Sequence, residues 1–187
     1  LLEASQKNPL ITLVNDQRIE TIEQKDNGVI VTNKNKEQFT GKAGIGADGL
    51  WSNTRKYFVD DKAICSEYVA YRGTIPIEEI SSDANMDDVI MWIGPNLHVV
   101  QYPVRRGELY NQVVVFKSYE YKEGKDGTND WGTPEEMDKV FEGCHPLVEN
   151  ALKFIQRQIR WPMYDREPIE NWTDRNFTLL GDAAHPM

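Results

Sequence analysis

The chain has 187 residues, a formal net charge of −9, and 40% hydrophobic and 27% charged residues. That is the profile of a folded globular chain, not a disordered one, and with no basic run beyond Arg105-Arg106 it argues against a nucleic-acid surface. No apolar run approaches the roughly 18 residues that span a bilayer, and no signal-peptide pattern opens the chain. The two cysteines, Cys65 and Cys144, are read as free buried thiols of a cytoplasmic protein.

The first residues, Leu1-Leu2-Glu3, read as a helix tail without an initiator Met. The last, Met187, follows His185-Pro186 directly after a strand and turn. Neither end reads as a domain boundary, and a fragment of a longer protein is expected. Residues 10–14, 18–23 and 28–32 are rich in β-formers and separated by Asn15-Asp16 and Asp26-Asn27-Gly28 turns. With a further strand opening at Gln38-Phe39, they predict an antiparallel meander. A glycine-rich stretch follows, and then a short helix from Ser52 to about Phe58.

The middle third predicts strands over 68–75, 89–93, 97–104 and 109–119, with turns at Gly94-Pro95-Asn96 and Arg106-Gly107. Thr133 followed by Pro134, Glu135 and Glu136 is a helix start that suits the positive end of the helix dipole. A second helix is expected over 146–156, with Leu147, Val148, Leu152 and Ile155 as its apolar face. A strand over 177–180 ends in Gly181-Asp182. Strands, then helices, then a return to a strand and loop predict an α+β or α/β fold of two interleaved units.

Gly44-Ile45-Gly46-Ala47-Asp48-Gly49 matches a dinucleotide-binding glycine pattern. Its context does not fit, because residues 38–43 are only weakly apolar and no β-α-β unit follows. The alternative weight falls on Asp48-Gly49 and on Ser52 and Arg55, with Arg55 on an exposed first helical turn. Asp48 is there either an acceptor for a ribose or amide group or the carboxylate of an ordinary Asx turn, and Gly49 lets a backbone approach closely. Gly181-Asp182-Ala183-Ala184-His185-Pro186 is the second such loop. Its small residues would let a flat ligand lie against the backbone, and Asp182 suits a sugar hydroxyl or caps a turn.

These two loops, in this order and separated by an antiparallel sheet, resemble the "DG" and "GD" motifs of the class A FAD-dependent aromatic monooxygenases. The stretches Ala70-Tyr71-Arg72, Trp92-Ile93-Gly94-Pro95, His98, Gln101-Tyr102-Pro103-Val104-Arg105 and Asp165-Arg166 are similar to the salicylate and 3-hydroxybenzoate 6-hydroxylase branch. The resemblance implies residues 1–62 and 166–187 as parts of an FAD-binding domain, interleaved with an antiparallel or mixed-sheet substrate domain at 63–165. It implies Asp48, Gly49, Arg55, Gly181, Asp182 and Pro186 at the FAD, with Asp182 on the ribityl side and Pro186 beside the isoalloxazine.

The activity implied is hydroxylation of a small phenolic aromatic, of salicylate or hydroxybenzoate type, with O2 and with NADH or NADPH as co-substrate. A base must take the phenol proton to make the ring electron-rich. The resemblance assigns that role to His98, with Tyr102 and Arg72 at the substrate, although Arg72 equally fits a surface ion pair. In a strand over 97–104, His98, Val100, Tyr102 and Val104 share one face. His145 is expected at the surface, and Trp92 and Trp161 in the core.

The family's ADP-gripping unit would precede Leu1, so the segment alone is expected to hold FAD weakly and to form homo-oligomers through exposed apolar surface. No metal, nucleic acid or membrane is expected. Two other readings stay open: an NAD-binding dehydrogenase using residues 44–49, and a non-catalytic substrate-domain remnant. Urate or a quinone precursor also remains open as the substrate.

Overall fold

A computed structural model describes residues 1–80 and 87–186 of the chain. It divides into two compact units, Leu1–Ala63 with Arg166–Met187, and Ile64–Asp165. The mixture of helices and mainly antiparallel sheets is the expected α+β class.

The first unit opens with a short helix, α1 (Leu2–Lys7). Residues 10–14, expected as a strand, form none, and Leu10 is 91% exposed. β-rich composition does not make a strand where no neighbour supplies the hydrogen-bonding ladder. The meander follows as β1 (Ile19–Lys25), β2 (Gly28–Asn33) and β3 (Gln38–Gly41), antiparallel in that order. β4 (Gly44–Gly46) then joins a second three-stranded sheet with β10 (Thr173–Asp174) and β11 (Phe177–Leu179). β4 and β11 run parallel, pairing Gly44 with Phe177 and Gly46 with Leu179. Val29, Phe177, Leu179, Ala183 and Ala184 form this unit's small apolar core.

The second unit is a five-stranded sheet in the order β6-β7-β8-β5-β9. Its strands are β5 (Ile64–Pro76), β6 (Ile90–Gly94), β7 (Leu97–Val104), β8 (Leu109–Lys117) and β9 (Trp161–Asp165). Every pairing is antiparallel. One face carries Val69 and Tyr71 of β5, Val99 of β7, and Val114 and Phe116 of β8. These pack with Met137, Phe141, Val148, Leu152 and Ile155 from the helical segment, a core in which each large apolar side chain contributes about 1.5–3 kcal/mol.

The helices are α2 (Pro134–Val140) and α3 (Pro146–Leu152). At α2 the Thr133 hydroxyl accepts from the Glu136 amide at 3.2 Å, the expected cap. The Glu136 carboxylate is itself buried and accepts from Ser118 Oγ and from the amides of Tyr119 and Gly132. At α3, His145 Nδ1 accepts from the Leu147 amide. α3 ends at Leu152 and not near 156, because the chain there is needed by the sheet. The Gln156 amide donates to the Arg72 carbonyl at 2.9 Å. The Phe154 carbonyl lies where a Cβ on Gly73 would be, 2.0 Å away. Only glycine at 73 admits this approach.

Candidate functional site

In the first unit the loops after β4 and β11 leave the carboxyl ends of adjacent parallel strands, the position at which open α/β sheets bind ligands. The Leu180 amide donates to the Gly46 carbonyl at 2.9 Å, so pairing continues to the mouth of both loops. An open cleft of about 570 Å³ beside the first loop is lined by Arg18, Ile45, Asp48, Trp51, Asn53 and Thr54 among others.

Asp48 organises its loop. Oδ1 accepts from the hydroxyls of Ser52 at 2.5 Å and Thr54 at 2.6 Å. Oδ2 accepts from the amides of Asn53 at 2.8 Å and Thr54 at 3.0 Å. Burial opposes the charge, but the bonds from Ser52, Thr54 and the two amides outweigh it and hold the carboxyl below its ordinary value. These four donors fill about the whole acceptor capacity of a carboxylate. Asp48 thus forms the turn of its loop, and its residue is also exposed and lines the cleft. Asp182 is exposed on the second loop.

The glycines resolve the misleading dinucleotide pattern. A Cβ on Gly44 would meet the Phe177 ring at 2.6 Å, and one on Gly46 would meet Thr54 Oγ1 at 2.2 Å. Both are small so that the strand can pack against its own unit. Gly49 has nothing within 4 Å of that position and a φ of +77°. It serves a left-handed turn and leaves open space on that side of the loop. Gly181, at φ +62°, makes the corresponding turn at the start of the second loop. A 3-10 turn (Thr54–Tyr57) follows the first loop where a longer helix was expected, and among the described residues no β-α-β unit follows β4 directly.

Arg55, expected on an exposed turn, is fully buried. Nη1 donates to the carbonyls of Ala183 at 3.0 Å and Ala184 at 2.7 Å, and Nη2 donates to that of Glu167 at 2.8 Å. Nε donates to both Asp61 oxygens at 3.1 Å, and Nη2 lies 2.9 Å from Oδ2. A buried guanidinium is tolerated when its fork of donors is satisfied in this way. Asp61 also receives Arg166 Nη1 at 2.7 Å, while Arg166 Nε donates to the Leu50 carbonyl at 2.8 Å. Burial works against the Asp61 charge, but Arg55 and Arg166 together hold its carboxyl below the usual range. Asp61 carries no motif of its own, and nothing local in the sequence marks it. Pro186 is half-buried, and His185 rests 5.6 Å from the Trp172 ring.

In the second unit, the sheet face opposite the core carries the other three candidates. His98 pairs with Ile93 on one side and Val115 on the other. Tyr102 pairs with Asn111, and Arg72 pairs with Val113, which also faces Val100. Directly paired residues share a face, so His98, Val100, Tyr102 and Arg72 line one surface. His98 and Tyr102 are roughly 13 Å apart along the strand. Met91, Ile93 and Trp161 on this face are exposed, Trp161 by 51%. Trp161 was expected in the core. It sits on β9 at the sheet edge, opposite Ala70, where the Arg72 guanidinium lies 5.7 Å from its ring. Trp92 packs against the core, and exposed His145 stacks on it at 5.0 Å. Among the described residues, no cluster fit for a metal ion is present and no helix is long and apolar enough to cross a membrane.

No family model matches the chain. It is 37% identical over 186 residues to 3-hydroxybenzoate 6-hydroxylase 2 of Aquipseudomonas alcaligenes, covering 100% of this chain and 57% of that protein. It is 36% identical, again over its whole length, to 3-hydroxybenzoate 6-hydroxylase of Polaromonas naphthalenivorans, of which it covers 46%. The chain thus spans about half the length of the curated relatives it matches. Among solved structures, a salicylate hydroxylase substrate complex shares its fold with a TM-score of 0.74 at 21% identity, over 98% of this chain and 49% of that one. Klebsiella pneumoniae HpxO complexed with FAD and uric acid does so with a TM-score of 0.70 at 24% identity, over 90% and 43%.

Proposed function

Because the chain belongs to the class A FAD-dependent aromatic monooxygenases, we propose that the protein carrying it hydroxylates a phenolic acid of the hydroxybenzoate or salicylate type, using FAD, NADH or NADPH, and O2. The observation that carries this reading is the emergence of the 48–52 and 181–186 loops from adjacent parallel strands, bound together through Arg55. The residues fit the cofactor. Asp182 offers an exposed carboxylate to a sugar hydroxyl, Gly181 turns the backbone aside, and Pro186 is only half-buried, free to lie beside a flat ring. Asp48 and Arg55 act here by holding the loops.

FAD, when bound and reduced by the nicotinamide, supplies the activated oxygen. The protein's own task is to place the phenol and to manage its proton. We assign His98 as the base that accepts the phenol proton, which raises ring electron density before oxygen transfer. Val100 provides an apolar floor, Tyr102 contacts the far end of the substrate, and the Arg72 guanidinium receives its carboxylate. The two free thiols suit a cytoplasmic location.

The test uses the protein carrying this chain with FAD, NADH or NADPH, and a panel of salicylate, 3-hydroxybenzoate and urate. A hydroxylated product from a phenolic acid is expected. His98→Ala is expected to lower its rate about a hundredfold, to raise the share of reducing equivalents lost as hydrogen peroxide, and to recover in part at high pH, where the phenol ionises unaided. Urate turnover with no phenolic product would change the substrate class. Full coupling in His98→Ala would remove His98 from the chemistry.

A further inference from the structure

We infer that Asp61 is a positioning residue that sets the spacing of the two loops, so that flavin affinity depends on a carboxylate that does not touch the flavin. This inference rests on the flavin reading above.

The geometry is a branched clamp. One branch runs from Asp61 through Arg166 Nε to the Leu50 carbonyl, in the first loop. The other runs from Asp61 through Arg55 Nη1 to the carbonyls of Ala183 and Ala184, in the second. Asp61 is the point at which the two branches meet. Its side chain is 12% exposed, against 8% for Arg166 and 0% for Arg55. Two guanidinium charges and one carboxylate leave the cluster one positive charge in excess. The four carbonyl oxygens of Leu50, Glu167, Ala183 and Ala184 face that excess.

Both guanidiniums approach the same carboxylate, whose charge offsets their mutual repulsion. Without that charge two like charges face one another in a poorly solvated space, where repulsion is strong. The arginines then separate and draw their carbonyls with them. The effect appears at backbone groups whose bonds are known. In the first loop they are the Ser52, Asn53 and Thr54 amides, bonded to Gly49 and Asp48. In the second they are the Ala184 and His185 amides, both bonded to the Gly181 carbonyl.

The test is Asp61→Asn, which keeps the shape and removes the charge. Amide exchange is followed residue by residue in the flavin-free protein carrying this chain, and FAD affinity is measured by fluorescence quenching. The expected result is exchange at least tenfold faster at Ser52, Asn53 and Thr54 and at Ala184 and His185 together, with β2 and the five-stranded sheet unchanged. FAD binding should weaken at least tenfold. A response in one loop alone, or wild-type exchange in both, overturns the inference. So does wild-type FAD affinity in the variant. If Asp61→Asn does not fold, Arg166→Gln replaces it. That variant should loosen the first loop while the second keeps its protection, and an unchanged first loop overturns the inference. Should the wild-type protein fail to bind FAD, the flavin reading falls, while the exchange arm still decides whether Asp61 couples the loops.

Discussion

The two units hold their candidate residues by different physical means. In the first, a small apolar core is supplemented by a buried cluster of charges and carbonyls centred on Arg55. In the second, a large apolar core under one sheet face holds the other face in register, and the candidate residues stand on it. Charge-assisted hydrogen bonds are directional, so they suit loops whose backbone must be aimed. Close packing is less directional but resists deformation, so it suits a flat wall of side chains. Loss of charge should therefore disturb the first unit, and loss of volume the second.

The largest expected effects set these two against each other. Arg55→Leu leaves Asp61 without one partner and three carbonyls without a donor, a change that costs about 3–5 kcal/mol. Phe116→Ala opens a cavity in the second core at a similar cost of about 3–5 kcal/mol. Their pH dependence separates them. The Asp61 carboxyl lies below its ordinary value when folded. Its contribution is therefore complete above the unfolded aspartate value of about 3.9 and is lost as pH falls through the lower folded value. Urea denaturation from pH 7 towards pH 3 should show the deficit of Arg55→Leu shrinking in acid. That of Phe116→Ala should stay constant, and a deficit for Arg55→Leu that does not change with pH would break the comparison.

Glu136 tests the contrast within the second unit, since it is a buried carboxylate among apolar neighbours. Glu136→Gln turns an acceptor into a donor that faces the Ser118, Tyr119 and Gly132 donors, and should cost about 1–3 kcal/mol. Faster amide exchange confined to residues 118–133 is the expected signature. Thr133→Ala, which removes only the α2 cap, should lower stability by about 1 kcal/mol in the same denaturation assay. The smallest effect has the opposite sign. Arg106 sits at φ 59° in the turn between β7 and β8, where a side chain is strained. Arg106→Gly should raise the melting temperature slightly, by a stabilisation of up to about 1 kcal/mol.

Much of the second unit was legible in the sequence. Residues 97–104 alternate between two environments, and β7 has those bounds. Thr133-Pro134 with two glutamates starts α2 as expected. β9 escaped notice because Trp161-Pro162-Met163-Tyr164 has no clean alternation and contains a proline, which an edge strand accepts. Residues 10–14 misled in the opposite way, with strand composition but no strand to pair with.

The sequence by itself determined the elements whose causes lie within a few residues: alternation along β7, the cap of α2, and the two loop motifs. Only the tertiary structure decided that Arg55 is buried, that Asp48 has its acceptors filled, and that Asp61 stands between two arginines. Arg166 lies 105 residues beyond Asp61, and Ala183 and Ala184 lie 128 and 129 beyond Arg55. No periodicity or local composition records such partners. They meet because β11 returns to pair in parallel with β4, and that pairing is a property of the folded chain.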